Sequence, residues 1–118
     1  MHHTFINYTN HPSATWSPEQ LKAAQQYGEI IDIPFPNVSP TLTTQEVAAL
    51  SEEQCELILK YAPGAVLCQG EFSLAYDIIK RLKAQNITVL AACSERNTVT
   101  IGNERRSIFC FIQFREYT

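Results

Sequence analysis

A three-layer α/β domain, built on a mainly parallel sheet and closed by a C-terminal antiparallel β-hairpin, is the fold the sequence predicts. Three observations carry it. Short β-branched and aromatic runs at Thr4–Tyr8, Ile30–Ile33, Ala65–Cys68 and Thr88–Ala92 alternate with runs of helical period. Helix-start signals precede the helical runs at Ser17, Thr43 and Ser73. The last 21 residues then break the alternation, with two apolar strands in succession, Thr98–Ile101 and Ser107–Phe114, joined through Gly102-Asn103. Alternating β and α units imply parallel strands with right-handed crossovers, a Rossmann-like arrangement.

The first strand, Thr-Phe-Ile-Asn-Tyr, gives way to a loop from Asn10 to Trp16. Ser17-Pro18-Glu19-Gln20 then combines an N-cap serine, a proline at the first helical position and a glutamine placed for a capping box. Leu21, Ala24 and Tyr27 form that helix's apolar side, and Gly28 ends it. The second strand stops at Pro34-Phe35-Pro36, because proline lacks the N–H that a ladder needs. Thr43 and Glu46 frame a second capping box, and apolar residues recur from Val47 to Tyr61 until Pro63-Gly64 interrupts. A third helix, Ser73 to Gln85, carries Leu74, Ile78, Ile79 and Leu82 on one side.

At 118 residues, 45% hydrophobic and 18% charged, the chain reads as one domain spanning 1–118. A net charge of -3 argues against long nucleic acid as partner, since such binding needs a basic surface. No apolar run approaches the ~20 residues that span a bilayer. The start, Met1-His2-His3-Thr4, lacks the regions of a signal peptide, so the expected location is cytoplasmic with no membrane partner. Cys55, Cys68, Cys93 and Cys110 are widely spaced and read as reduced thiols, mostly in the core, and no metal site or cofactor is expected. Cys93 is set apart because it falls at a strand end, within reach of a ligand.

In open α/β sheets ligands bind beyond the carboxyl ends of strands, where strand order reverses. Three loops meet that condition: Asn10–Trp16, Gln69–Ser73 and Cys93–Arg96. The turn Gln69-Gly70-Glu71-Phe72-Ser73 passes from strand to helix, and would aim backbone N–H groups and the positive helix end at one spot, the usual anion site. His11 is the candidate for proton transfer, with Ser13 and Asn10 as hydrogen-bonding neighbours. Trp16 offers either a stacking face for a base or a staple for its helix. Glu71, being negative, would read base or ribose donors or face a partner subunit rather than meet phosphate, or else interact with the positive end of the helix. Arg96, after the fourth strand and beside Cys93 and Ser94, suits a phosphate.

The runs Gln69-Gly70-Glu71-Phe72, with Tyr76, then Ala91-Ala92-Cys93-Ser94-Glu95-Arg96, then Ser107-Ile108-Phe109, and the closing Phe114-Arg115-Glu116-Tyr117 cover roughly the last half of the chain. Together they resemble the small proteins of type III CRISPR systems related to ring nucleases. The resemblance implies a CARF-like fold, a homodimer and a cyclic oligoadenylate messenger, such as cyclic tetra-adenylate, held in a two-fold cleft. It implies either degradation of that ring or its sequestration. In the family pattern the turn after the fourth strand is more basic; Glu95 stands at one of those positions, and Arg96 alone is retained. Metal-independent cleavage, by attack of a ribose 2′-hydroxyl on its neighbouring phosphate, needs only positioning and charge neutralisation. A ligand-free interaction subunit, using the apolar hairpin edge from Ser107 to Phe114, is the third reading.

Overall fold

The structure, a computed structural model, describes residues 3–118; Met1 and His2, part of the start read above for a leader, lie outside the described residues. Five strands form one mixed sheet: β1 (Thr4–Tyr8), β2 (Glu29–Asp32), β3 (Pro63–Cys68), β4 (Val89–Ile101) and β5 (Glu104–Glu116). Three helices, α1 (Pro18–Gln25), α2 (Thr44–Leu59) and α3 (Phe72–Ala84), connect the first four. Strand order is β2-β1-β3-β4-β5, with the first four parallel and β5 antiparallel to β4. Among the described residues no helix is long and apolar enough to cross a membrane.

Alternation along the strands divides the core. Ile6, Tyr8, Val66 and Cys68 face α2 and α3, packing with Cys55, Ile58, Leu74, Ile78 and Leu82. Phe5, Ala65 and Leu67 face the other way, against Trp16, Ala24 and Leu21 of α1 and its approach. Local signals act as read: the Ser17 side chain accepts from the Gln20 N–H, and Thr43 and Glu46 complete a reciprocal capping box. The chain leaves β1 towards β2 on one side and returns to β3 on the other, so the order reverses between β1 and β3.

The terminal hairpin differs from expectation in length. Cys93–Arg96 is strand rather than loop, because β4 runs unbroken for 13 residues to Ile101, with no glycine or proline to stop it. Each residue of Ser94–Ile101 pairs across to Glu104–Phe111, and a bulge between Cys93 and Ser94 re-aims the strands where they leave the sheet. Gly102, at φ 63°, opens the two-residue loop, a conformation glycine adopts without strain. Eight residues a side make a two-stranded arm of roughly 25 Å. It accounts for a radius of gyration of 15.8 Å, against about 13–14 Å for a compact chain of this length.

Candidate functional site

The loop after β1 is held by a buried polar hub. Asn7, 1% exposed, donates through Nδ2 to Asp32 Oδ1 at 2.9 Å and to the His11 carbonyl at 2.9 Å. The Thr9 hydroxyl donates to Asn7 Oδ1 at 2.8 Å and accepts from the His11 N–H at 3.1 Å. Asp32 Oδ2 receives the Ser13 hydroxyl at 3.0 Å and its N–H at 3.2 Å. The indole N–H of Trp16 closes the set, donating to the His11 carbonyl at 3.1 Å. A single amide on β1 and a single carboxylate on β2 therefore fix the course of residues 9–16.

Beside this loop, a cleft of about 1040 Å³ opens at the carboxyl ends of β1 and β3. Its first wall is His11, Trp16 and the start of α1, where Glu19 and Gln20 project. Gln69 supplies the β3 side, and the arm supplies Ser94, Phe109 and Phe111. Among the described residues its walls hold no lysine or arginine. Trp16 contributes only a strip of its surface. It is 9% exposed, set edge-on to Phe5 at 6.1 Å and tilted against Phe114 at 6.4 Å.

The turn before α3 is built differently from the anion site expected of it. Glu71, not Ser73, caps the helix: its carboxylate accepts from the N–H groups of Ser73 and Leu74, each at 2.9 Å. The Ser73 hydroxyl also donates to it, at 2.7 Å. A charged acceptor that spans two orphan donors outcompetes the serine hydroxyl, so the positive helix end is already occupied by the chain's own anion. The Leu74 N–H, then the Ser73 hydroxyl and N–H, hold the Glu71 carboxyl below its ordinary value. Gly70 lies against the Phe35 ring, which a Cβ would meet at 2.4 Å, and Phe72 stands 91% exposed. None of Gly70, Glu71, Phe72 and Ser73 lines the cleft; Gln69 alone of that turn does.

Of the remaining candidates, Ser94 reaches the cleft while the half-buried Cys93 and the exposed Asn10 do not line it. Cys93 lies within β4 at the bulge, not at a strand end. Ser13 is committed to Asp32 on the β2 side. Arg96 is exposed on the arm, donating through Nε to Ser107 Oγ at 3.1 Å, with its guanidinium 5.9 Å from the Phe109 ring, its cross-strand neighbour. Burial raises the Cys55 thiol and pushes Cys68 up to about 12, while Cys110 is exposed on the arm. No three His, Cys, Asp or Glu side chains converge as a metal set among the described residues.

Sequence reasoning passed over Asn7, Asp32, Glu19, Gln20, Phe109 and Phe111. Asn7 had a visible signal, since an amide inside Phe-Ile-Asn-Tyr is buried on a central strand and must find partners. Phe109 and Phe111, two apart on one strand, share a face. Chemically the cleft joins three ionisable side chains, His11, Glu19 and Cys110, with the amides of Gln20 and Gln69 and a pair of phenyl rings. No curated protein and no solved structure matches the chain. The model of one family, described as "Uncharacterized protein MJ1673 family", matches residues 3–115, and this chain belongs to the MJ1673 family.

Proposed function

We propose that the protein is an ancillary component of type III CRISPR signalling, of Rossmann-like, CARF-like fold. In this reading it binds a cyclic oligoadenylate, cyclic tetra-adenylate by preference, as a homodimer and opens the ring by metal-independent cleavage. The observation that carries the reading is the cleft at the β1/β3 reversal, where His11, Gln69 and Ser94 from three separate segments meet. Its size stands at the top of the range of about 300–1,000 Å³ typical of small-ligand sites, which suits more than one nucleotide. Amides of Gln20 and Gln69 match the donor and acceptor edge of adenine, as glutamine does elsewhere, and Glu19 accepts from an exocyclic amine.

For cleavage, a 2′-oxygen bonds to the adjacent phosphorus while the bond from phosphorus to the 5′-oxygen breaks, leaving a cyclic phosphate and a 5′-hydroxyl. His11 is the group that relays the proton from the 2′-hydroxyl towards the departing oxygen, and Arg96, on the arm outside the cleft lining, is the cation that the ligand's phosphates would meet. Sequestration without turnover is the second reading. Commitment of the Ser13 hydroxyl to Asp32 favours it, because His11 is then the one imidazole left to move protons at the described cleft wall. A ligand-free interaction subunit would show no thermal shift with any oligoadenylate, whereas ligand at a hundredfold excess over Kd adds about 2.7 kcal/mol.

Labelled ring, incubated with substoichiometric protein with and without EDTA and resolved by chromatography, tests the assignment. Multiple turnover unaffected by chelation is the expected result. Loss of cleavage with EDTA overturns the metal-independent step, and an intact ring in a tight complex selects sequestration. Replacement of Arg96 with Ala weakens binding and leaves the fold intact; unchanged affinity removes Arg96 from the site.

A further inference from the structure

The arm sorts its side chains by face. Cross-strand pairs Ser94/Phe111, Arg96/Phe109, Thr98/Ser107 and Thr100/Arg105 share the side that carries the cleft walls. Pairs Glu95/Cys110, Asn97/Ile108, Val99/Arg106 and Ile101/Glu104 share the other, with Cys110 also bordering the cleft between Phe109 and Phe111. Both carboxylates of the arm therefore lie on the far side, where Glu104 accepts from Arg106 at 3.3 Å. The cleft side holds two arginines, four hydroxyls, two phenyl rings and no acid. In a chain of net charge -3 this side is a local reversal of sign.

Phe109 is 69% exposed, and Arg96 sits beside its ring, with no ion pair among the described residues. Behind it Phe111 packs on Phe114 at 4.9 Å, and Phe114 on Phe5 at 5.2 Å, so an aromatic chain runs from the core out to the arm. From Ser94 to Thr100 the face extends about 20 Å beyond the sheet. A flat ring with cations and hydroxyls in line along an open groove is the arrangement that holds successive bases and phosphates of a single strand.

We propose that this side of the arm is a base-stacking platform, with Phe109 at the cleft wall as the stacking ring and Arg96 and Arg105 as phosphate contacts, which carries an oligonucleotide ligand from the mouth of the cleft outwards. The proposal rests on the reading of the cleft as an oligoadenylate site, and specifies how the ligand is held at its arm side. Calorimetric titration of cyclic tetra-adenylate, linear oligoadenylate and linear oligouridylate into wild type, Phe109→Ala, Arg105→Glu and Arg106→Glu tests it. Arg105→Glu and Arg106→Glu change net charge equally, but from opposite faces. The expected result is a loss of roughly 5- to 150-fold for Phe109→Ala with the adenylates, the usual worth of one stacked base. Arg105→Glu also weakens binding, and Arg106→Glu does not.

Wild-type affinity in Phe109→Ala, or equal losses in the two charge reversals, overturns the platform. Wild type that ignores adenylates yet binds oligouridylate with the same dependence on face keeps the platform and removes the cyclic oligoadenylate reading. Wild type that binds no single strand removes both. Phe109 and both arginines are exposed, so thermal unfolding of each variant should match wild type and separates lost binding from lost fold.

Discussion

Asn7→Ala is the most informative perturbation of the scaffold, because one side chain ties β1, β2 and the loop over the cleft. It removes a charge-assisted bond to Asp32 worth about 1.5–3 kcal/mol and two neutral bonds near 1 kcal/mol each. The loss is partly offset. The His11 carbonyl keeps the Trp16 indole N–H, Asp32 keeps Ser13, and the Thr9 hydroxyl lies 3.4 Å from the His11 carbonyl and can turn to it. A net cost of about 3 kcal/mol remains, a large share of the about 5–15 kcal/mol that holds such a domain together. With a urea slope near 1.5 kcal/mol/M, the midpoint falls by about 2 M. Trp16 is the only tryptophan, so its emission reports the loop directly and should shift to the red as the indole gains water. A midpoint within about 0.3 M of wild type and an unmoved emission maximum would refute the hub.

Glu71→Ala removes the α3 cap and costs about 0.5–1 kcal/mol, the lower part of the usual range because the carboxylate is exposed. The folded-state pKa lies below the ordinary 4.5, so this contribution is complete above that value and disappears as pH falls through the lowered one. Urea midpoints of wild type and variant should therefore differ at neutral pH and converge in acid; a gap that persists in acid contradicts the assignment. Thiol titration at neutral pH should modify the exposed Cys110 quickly and Cys93 next, with Cys55 and Cys68 reacting only after denaturant is added. Rapid reaction of all four in native buffer would mean that the core is not as described.

What could be read from the sequence follows the range of each signal. The caps at Ser17 and Thr43 and the first strand were legible because their evidence is local, a side chain three residues from its partner or an unbroken β-branched run. Ser73 misled for the same reason: serine is a common cap, but Glu71 reaches forward to the same donors with a full charge. The stretch Ser94-Glu95-Arg96-Asn97 looks like a loop because a ribbon exposed on both faces has no buried side to impose an apolar alternation. Its pairing is nonlocal, set by the strand opposite. The packing of Trp16 was equally out of reach, since Phe5 and Phe114, distant in sequence, cover most of its ring and leave a strip at the cleft.

If the proposed ligand is bound, these arrangements decide which groups meet its charge. The helix end that would hold a phosphate holds Glu71, and the hydroxyl of Ser13 is spent on Asp32, so backbone and turn groups contribute little. In the proposed reading phosphates fall to arginine side chains on the arm, Arg96 and Arg105 on the cleft side, and salt dependence counts such contacts. For a single-stranded ligand the logarithm of affinity falls by about 0.7 per neutralised phosphate for each tenfold rise in salt. One copy holding the ligand alone gives a slope of about -1.4, and two copies sharing one ring give about -2.8. Binding measured over a tenfold range of salt thus separates a single arm from a two-fold pair. A slope near zero would mean that neither arginine meets phosphate, and would leave stacking and the amides of the cleft as the whole of the recognition.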